Sequence, residues 1–454
     1  MKIFLVYSLL NTDTGVIYNY GLGYLAAVLK KDNHSVDYIG LRDREDILAL
    51  YKRIRENKPD IIGFSVLSYQ VPYLQEIVKE VKKISGAFIV CGGVHPTLMP
   101  ESILEIPGID AIVRGEGESP MRELTRALTD RAGYHSIENC WFNGQGKIVK
   151  NEIRPLIDDL NELPFPDKDC LDYQRVIHEA RGVNRFIFSR GCVFDCPYCS
   201  NKALSDLYRN KGVYFRQRSP HLALEEIGRD AGKYQFNEII FDDDSVTLNK
   251  KWFYEFFGLY KKQFKYPFRC NVRPGTIDGD MVKLLKEAGA TGVAIGIEQG
   301  NEAFRKNVLK RNITDRQMID LIGLLEKNGI RDNYGQVMVG LPFENKGLFL
   351  DTVRLCRRLD LKYYVYVFNP YPGTEFGALC KERAWLPHTE YFLQRRTAVI
   401  DYPEFSAREI QMCFDNFYTL VRYPCIPLWI PLGLFARFLE LWRALKRFRE
   451  SVKK

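Results

Sequence analysis

The segment SRGCVFDCPYCSNK, residues 189–202, confines three thiols to one short loop: Cys192, Cys196 and Cys199, at the spacing Cys-x3-Cys-x2-Cys. Any fold this chain adopts must present that loop with its thiols brought together. Three thiolates so spaced can hold three irons of a 4Fe–4S cluster, whereas an electron-transfer cluster takes four cysteines. The fourth iron is then open to a substrate, by the logic that separates catalytic from structural zinc. Chance is a poor source for the triplet, since 11 cysteines in 454 residues give roughly 0.006 expected occurrences. A structural zinc would want a fourth Cys or His nearby, and the nearest, Cys170, His178 and His221, lie outside the loop.

A chain of 454 residues holds material for about two to four domains. At 46% hydrophobic and 27% charged residues the composition is that of a soluble globular protein. The opening MKIFLVYSLL carries one Lys and then reads as a strand, without the cleavage site of a signal peptide. Cysteines without a regular framework point to a reducing compartment. A cytoplasmic location is therefore expected.

The net charge of +8 is concentrated at the end. Between Arg437 and Lys454 seven basic residues face Glu440 and Glu450, which is +5 of the +8. The remainder is near neutral, so no nucleic-acid partner is expected. In the same tail Phe435, Phe438, Leu439, Leu441, Trp442, Leu445 and Phe448 fall at helical spacing with bases opposite. The apolar run before them contains Pro427 and Pro431 and is too short to span a bilayer. Such a helix either lies in a membrane interface or docks on the body of the protein. Membrane contact would favour a lipid-like substrate.

The pattern predicts an α/β protein. Residues 1–135 alternate short apolar runs (KIFLVY, HSVDYIGL, DIIGFSVLS, AFIVCGG, IDAIVRG) with amphipathic stretches, which predicts a doubly wound parallel sheet. Its ligand should sit at the carboxyl ends of the strands. There lie Ser65-Val66-Leu67, Gly92-Gly93-Val94-His95 and Arg114-Gly115-Glu116-Gly117-Glu118. The proline-punctuated span 136–180 reads as a linker. Residues 181–395 contain six further strand-like runs, each followed by a helical pattern, which predicts a partial (β/α)6 barrel. Residues 396–454 are expected to be a helical C-terminal region ending in the basic tail. At one barrel strand end Asp242, Asp243 and Asp244 stand together, and three adjacent carboxylates need solvent or a cationic ligand. Glu298, between glycines after an apolar run, should point into the barrel mouth, and Arg273 ends another strand.

The cysteine spacing, with Tyr198 before the last thiol, resembles that of the radical S-adenosylmethionine (SAM) enzymes. The resemblance extends through Asp243 and Asp244, Gly296-Ile-Glu298-Gln-Gly300, Gly340-Leu-Pro-x-Glu344 and Pro370-x-Pro372-Gly-Thr374, in the family's order. It implies a cluster whose open iron binds SAM, with Tyr198, Asp243, Asp244, Arg273, Glu298, Gly340 and Pro372 near the nucleotide. The loops at Ser65 and Leu67, Gly92 and Gly93, and Gly115 and Glu116 are similar to those of the cobalamin-binding domain that precedes many such barrels. That similarity implies a corrin at these loops, with His95 either a corrin contact or a surface residue. One motif is missing. The Asp-x-His-x-x-Gly of methionine-synthase-type domains, whose His ligates cobalt, does not occur upstream of Ser65. No His from that loop is expected on the metal.

The reaction implied is methylation of an unactivated carbon, with an adenosyl radical removing hydrogen and methylcobalamin supplying the methyl group. A flavodoxin or ferredoxin would supply electrons. Two alternatives remain at this stage: ring formation or carbon–carbon coupling without methyl transfer, and a non-catalytic regulator that binds the cluster or corrin.

Overall fold

The strand–helix alternation folds into two sheets in succession. The computed structural model describes residues 1–10, 18–144, 147–386 and 396–423. In the first sheet β1 (Lys2–Ser8), β2 (Ser35–Leu41), β3 (Ile61–Ser65), β4 (Phe88–Gly92) and β5 (Ala111–Val113) run parallel, in the order β2-β1-β3-β4-β5. Strands such as Ile61-Ile-Gly-Phe64 are buried on both faces because helices cover both sides, which is why they read as unbroken apolar runs. The chain order reverses at β1 and β3, so the crevice for a ligand opens beyond Ser65.

The sheet does not stop where the sequence pattern did. β6 (Cys140–Gly144) and β7 (Lys147–Lys150) extend it antiparallel beyond β5, with Val113 opposite Cys140 and Trp141 opposite Lys150. They lie inside the span 136–180 expected as a linker, and the first domain therefore runs on to Lys150. Two short strands of alternating character carry too little hydrophobic signal to stand out from a loop.

The second sheet begins with β8 (Val183–Phe186). A two-residue hairpin follows, β9 (Ser189–Arg190) with β10 (Arg216–Gln217), and the cysteine loop lies within it. Then come β11 (Glu238–Phe241), β12 (Phe268–Val272), β13 (Ala290–Glu298), β14 (Tyr334–Val339) and β15 (Lys362–Val367). The order is β15-β14-β13-β12-β11-β8, all parallel. This is the expected six-stranded open barrel. Its core is built on aromatic side chains, with Phe188, Phe241, Phe256, Phe257 and Phe268 packed edge-on and stacked.

The helix Ala407–Arg422 closes the far edge, capped by Ser406 with Glu409 reaching back, and sets Phe417 against Tyr363. The basic amphipathic tail, from residue 424 on, lies outside the described residues. Among the described residues no helix is long and apolar enough to cross a membrane.

The segment between the sheets is tied to both. On the first domain Tyr18 donates to the Asp167 carbonyl at 2.6 Å and Lys30 pairs with the Asp167 carboxylate at 2.6 Å. On the barrel Arg218 donates to the Leu163 and Pro164 carbonyls, and Lys168 pairs with Asp230 at 2.5 Å. Lys168 is fully buried, its ammonium over the Phe186 ring at 4.2 Å. Removing one partner of a buried pair strands the other charge. Lys168→Ala is therefore expected to destabilise the fold by about 3–5 kcal/mol. Chemical denaturation checks this, and an unchanged midpoint would mean the linker is not held there.

Candidate active site at the domain seam

The carboxyl ends of the first sheet face the segment that enters the cysteine loop. Between them lies a cavity of about 330 Å³. Its first wall is Asn19, Tyr20, Ser65, Gly92, Gly93 and the loop Gly115–Glu118, and its second is Ile187-Phe188-Ser189-Arg190. The helix Tyr20–Lys31 reaches this cavity because Asn19 caps it, accepting from the Leu22 amide, while its side-chain amide donates to Ser65 Oγ at 3.3 Å.

The seam is held by charge. Arg190 donates to Glu116 at 2.8 Å and to Glu118 at 2.5 Å, and Arg216 donates to Glu116 at 3.0 and 3.2 Å. Burial opposes ionisation of Glu116, but Arg190 and Arg216 outweigh it and hold the carboxyl below its usual range. Tyr208, just beyond the cysteine loop, accepts from the Glu116 amide at 3.0 Å. Its hydroxyl would lie 1.6 Å from a Cβ at position 115, where φ is 73°. Only glycine fits there. Arg190, Arg216 and Tyr208 were not foreseen from the sequence. Arg190 carried one weak signal, its place two residues before Cys192, but nothing paired it with an acidic loop far upstream.

The cysteine loop leaves β9 through Gly191, at φ 83°, where a Cβ would meet the Tyr214 carbonyl at 2.4 Å. Cys196 is buried, and Cys192 and Cys199 are half-buried. Cys199 caps the helix Ser200–Leu207, its amide donating to the Cys196 carbonyl at 3.1 Å. Among the described residues no three His, Cys, Asp or Glu side chains converge on a single-ion site. One zinc would draw its sulfurs to about 2.3 Å, whereas a cubane takes each thiolate on a different iron. Two cations suit a thiolate here: Arg273 Nη1 lies 3.9 Å and Arg311 Nη1 3.8 Å from Cys196 Sγ. The donor set fits a cluster.

The other expected site residues divide. Glu298 ends β13 at φ 65°, past a bulge against β14, with its carboxylate 3.6 Å from Arg311 at the barrel mouth. Tyr198 is half-buried in the same mouth and accepts from Arg311 at 3.2 Å. Asp244 accepts from Asn201, on the helix that follows the cysteines. Arg311 was missed, because it belongs to no strand end.

Asp243 is not free for a nucleotide. It is buried and accepts from the Phe188 amide and Ser189 hydroxyl, fixing the turn from β8 into the cavity wall. Burial pushes its carboxyl up to about 6, against those hydrogen bonds. Gly340 packs on Ile410, and its carbonyl accepts from Tyr402. Its turn is closed by Glu344, which accepts from the Gly340 and Leu341 amides. These contacts make the Gly340 turn a structural one. Pro372 lies in a half-exposed turn whose Gly373 abuts Leu98 of the first domain, and Phe376 beyond it donates to the Pro197 carbonyl in the cysteine loop.

At the first sheet Leu67 is half-buried, outside the cavity wall, with its amide held by Gln70 Oε1. His95 is neither exposed nor presented to the cavity. It is buried, with Nδ1 2.9 Å from Ser68 Oγ and Nε2 3.0 Å from Ser102 Oγ.

Two family models match the chain: B12 binding domain over residues 8–125, and Radical SAM superfamily over residues 186–356. An uncharacterized methyltransferase of Pyrococcus horikoshii is 31% identical over 359 residues, covering 78% of this chain and 76% of that protein. The chain belongs to the radical SAM superfamily and carries an N-terminal B12-binding domain. It is an enzyme. An anaerobic magnesium-protoporphyrin IX monomethyl ester cyclase of Rubrivivax gelatinosus is 29% identical, covering 78% of this chain and 64% of the cyclase. Among solved structures, the radical SAM methyltransferase TsrM of Kitasatospora setae, with cobalamin and a 4Fe–4S cluster bound, has the same fold. Its TM-score is 0.68 at 18% identity, covering 91% of this chain and 81% of that one.

The residues of the B12-binding domain suit a corrin on the same observation that defines the cavity. Gly92 and Gly117 line it, so a flat macrocycle can lie against backbone there, whereas the space beside Gly63, Gly93 and Gly115 is taken by Leu5, Val66 and Tyr208.

His95 generates a pH prediction. Burial lowers its pKa from 6.5 to about 4, so the unfolded chain takes up the proton first as pH falls. The stability this contributes is complete above pH 6.5 and is lost between there and pH 4, at about 3 kcal/mol in total. His95→Gln is expected to flatten the wild-type stability profile in that window. Denaturation midpoints at pH 7 and pH 4.5 measure it, and parallel profiles would contradict the assignment.

Proposed function

We propose that this chain is a cobalamin-dependent radical SAM methyltransferase that transfers a methyl group to an unactivated carbon of a small molecule. Its cofactors are a 4Fe–4S cluster, SAM and cobalamin. The observation that carries the reading is the single cavity bounded on one side by Gly92 and Gly117 of the B12-binding domain and on the other by Ile187–Arg190, which leads straight into Cys192. Neither C–H cleavage nor alkyl transfer to carbon is available to side chains, so the cluster supplies the electron that cleaves SAM and the corrin carries the methyl group.

The protein's part is placement. Cys192, Cys196 and Cys199 hold the cluster at the barrel mouth. Glu298 and Asp244 offer carboxylates to the positively charged SAM and to its ribose hydroxyls. Arg190 and Glu116 fix the two walls against each other, and the apolar side chains Leu22, Tyr24, Leu25, Val113 and Met121 keep water from the space between. A substrate entering that space would lie between the corrin crevice and the strand that leads to the cluster loop. An external flavodoxin or ferredoxin supplies the electron, and a lipid-like substrate would fit a membrane-bound tail.

The relative from Pyrococcus horikoshii supports methylation; the cyclase supports a second reading, ring formation without methyl transfer. The two part on one product. Protein reconstituted anaerobically with iron and sulfide and given dithionite, SAM and hydroxocobalamin is expected to release both 5′-deoxyadenosine and S-adenosylhomocysteine, the latter only when cobalamin is present. Cys196→Ala should reduce 5′-deoxyadenosine to the level without enzyme. Release of 5′-deoxyadenosine alone would favour the cyclase reading, and release of neither would leave a binding protein.

A further inference from the structure

Two guanidinium groups meet at one thiol. Arg273, at the end of β12, stacks on the Phe194 ring at 3.5 Å and points Nη1 at Cys196 Sγ from 3.9 Å. Arg311 arrives from beyond the helix Glu302–Asn307 and places Nη1 at 3.8 Å from the same sulfur. The second cation is the more committed. Its Nη1 also donates to Tyr198 and its Nη2 to the Gly296 carbonyl at 2.7 Å, and the residue is buried. Among the described residues only Glu298, at 3.6 Å, is an opposing carboxylate in contact with Arg311. A buried cation and a half-buried one beside a single carboxylate leave positive charge in excess, which further negative charge between them offsets. The Cys196 thiolate is where that charge belongs. Of the three thiols it is Cys196 that both guanidinium groups contact; Cys192 feels Arg273 as well as the Asp244 carboxylate, and Cys199 feels Asp244.

We infer that Arg273 and Arg311 tune the cluster held through Cys196, raising its reduction potential by donating to that sulfur and by opposing the added negative charge of the reduced state. The inference rests on the reading of the three cysteines as cluster ligands. Reduction adds one electron, taken from an external low-potential donor, and forms no bond at the protein. Cations within hydrogen-bonding reach of a ligand sulfur, in a site screened from water, favour the reduced form over the oxidised one. The alternative duty for an arginine here is to clamp a substrate carboxylate. That needs two parallel donors; the terminal nitrogens of Arg311 are engaged within the protein while its buried Nε has no hydrogen-bond partner among the described residues, and the SAM-binding measurement below separates the two duties.

The test is a redox titration followed by electron paramagnetic resonance on the full-length protein, reconstituted anaerobically with iron and sulfide. Wild type is compared with Arg273→Met, Arg311→Met, Arg273→Lys and Arg311→Lys, each first analysed for iron and sulfide. The midpoint potential is expected to move to more negative values in each Met variant. The Lys variants should stay closer to wild type, because they keep the charge. Arg273 is only half-buried and stacks on a surface loop, so Arg273→Met reports even if Arg311→Met does not assemble.

Met variants with a full cluster and the wild-type potential would overturn the inference. So would weaker SAM binding with an unmoved potential, since the pair would then belong to the nucleotide. A wild-type protein that takes up no iron or sulfide would instead sink the reading of the cysteine loop, a distinguishable failure.

Discussion

The contact on which the site depends is the partly buried junction of Glu116 and Glu118 with Arg190 and Arg216. Glu116 and Glu118 sit on the turn that closes the corrin crevice, and Arg190 sits on the strand that feeds the cysteines. Two cations and two carboxylates cancel, so the junction can be partly buried without leaving a charge unpaired. Partly buried ion pairs of this kind are weak sources of net stability, since desolvation offsets most of the attraction. Their geometry is what they contribute. The bonds are short and multiple, and they fix how far the end of one sheet lies from the mouth of the other.

Around that junction several unrelated features serve the same end. Tyr208 reaches back from the helix after the cysteines into a space that only Gly115 leaves open. Gly373 abuts Leu98, so a turn of the barrel leans on the first domain from the other side. The segment carrying Asp167 and Lys168 is bound to one domain by its carbonyl and carboxylate, and to the other by its ammonium. Asp243 gives up its own exposure to hold Phe188 and Ser189 in the cavity wall. Two domains that bind separate cofactors are thereby made into one enclosure, which radical chemistry needs in order to exclude water.

What the sequence revealed and what it hid follow a physical line. Local regularity was legible: all eleven parallel strands show as apolar runs, and the cysteine triplet shows as a spacing. Strand ends therefore put Ser65, Gly92 and Gly93 at the cavity wall and Glu298 beside Arg311. Partnership across the chain was not legible. Asp243 and Asp244 are neighbours in sequence, but one is satisfied by backbone and the other by Asn201. His95 looks like a ligand candidate until Ser68 and Ser102 are found on its two nitrogens. Arg311 carries no motif, and its nearness to Cys196 exists only after β13 and the following helix have brought it round. The hairpin β6–β7 was hidden for a different reason, because its residues are few and alternate weakly.

The central claim is that the corrin crevice and the strand leading to the cluster loop bound one cavity, which brings the two cofactors close together. It is tested most directly by low-temperature electron paramagnetic resonance of protein loaded with both cob(II)alamin and reduced cluster. The account predicts that each signal is broadened or split by the other, relative to samples carrying one cofactor alone. Two signals that simply superimpose, each unchanged by the presence of its neighbour, would contradict it.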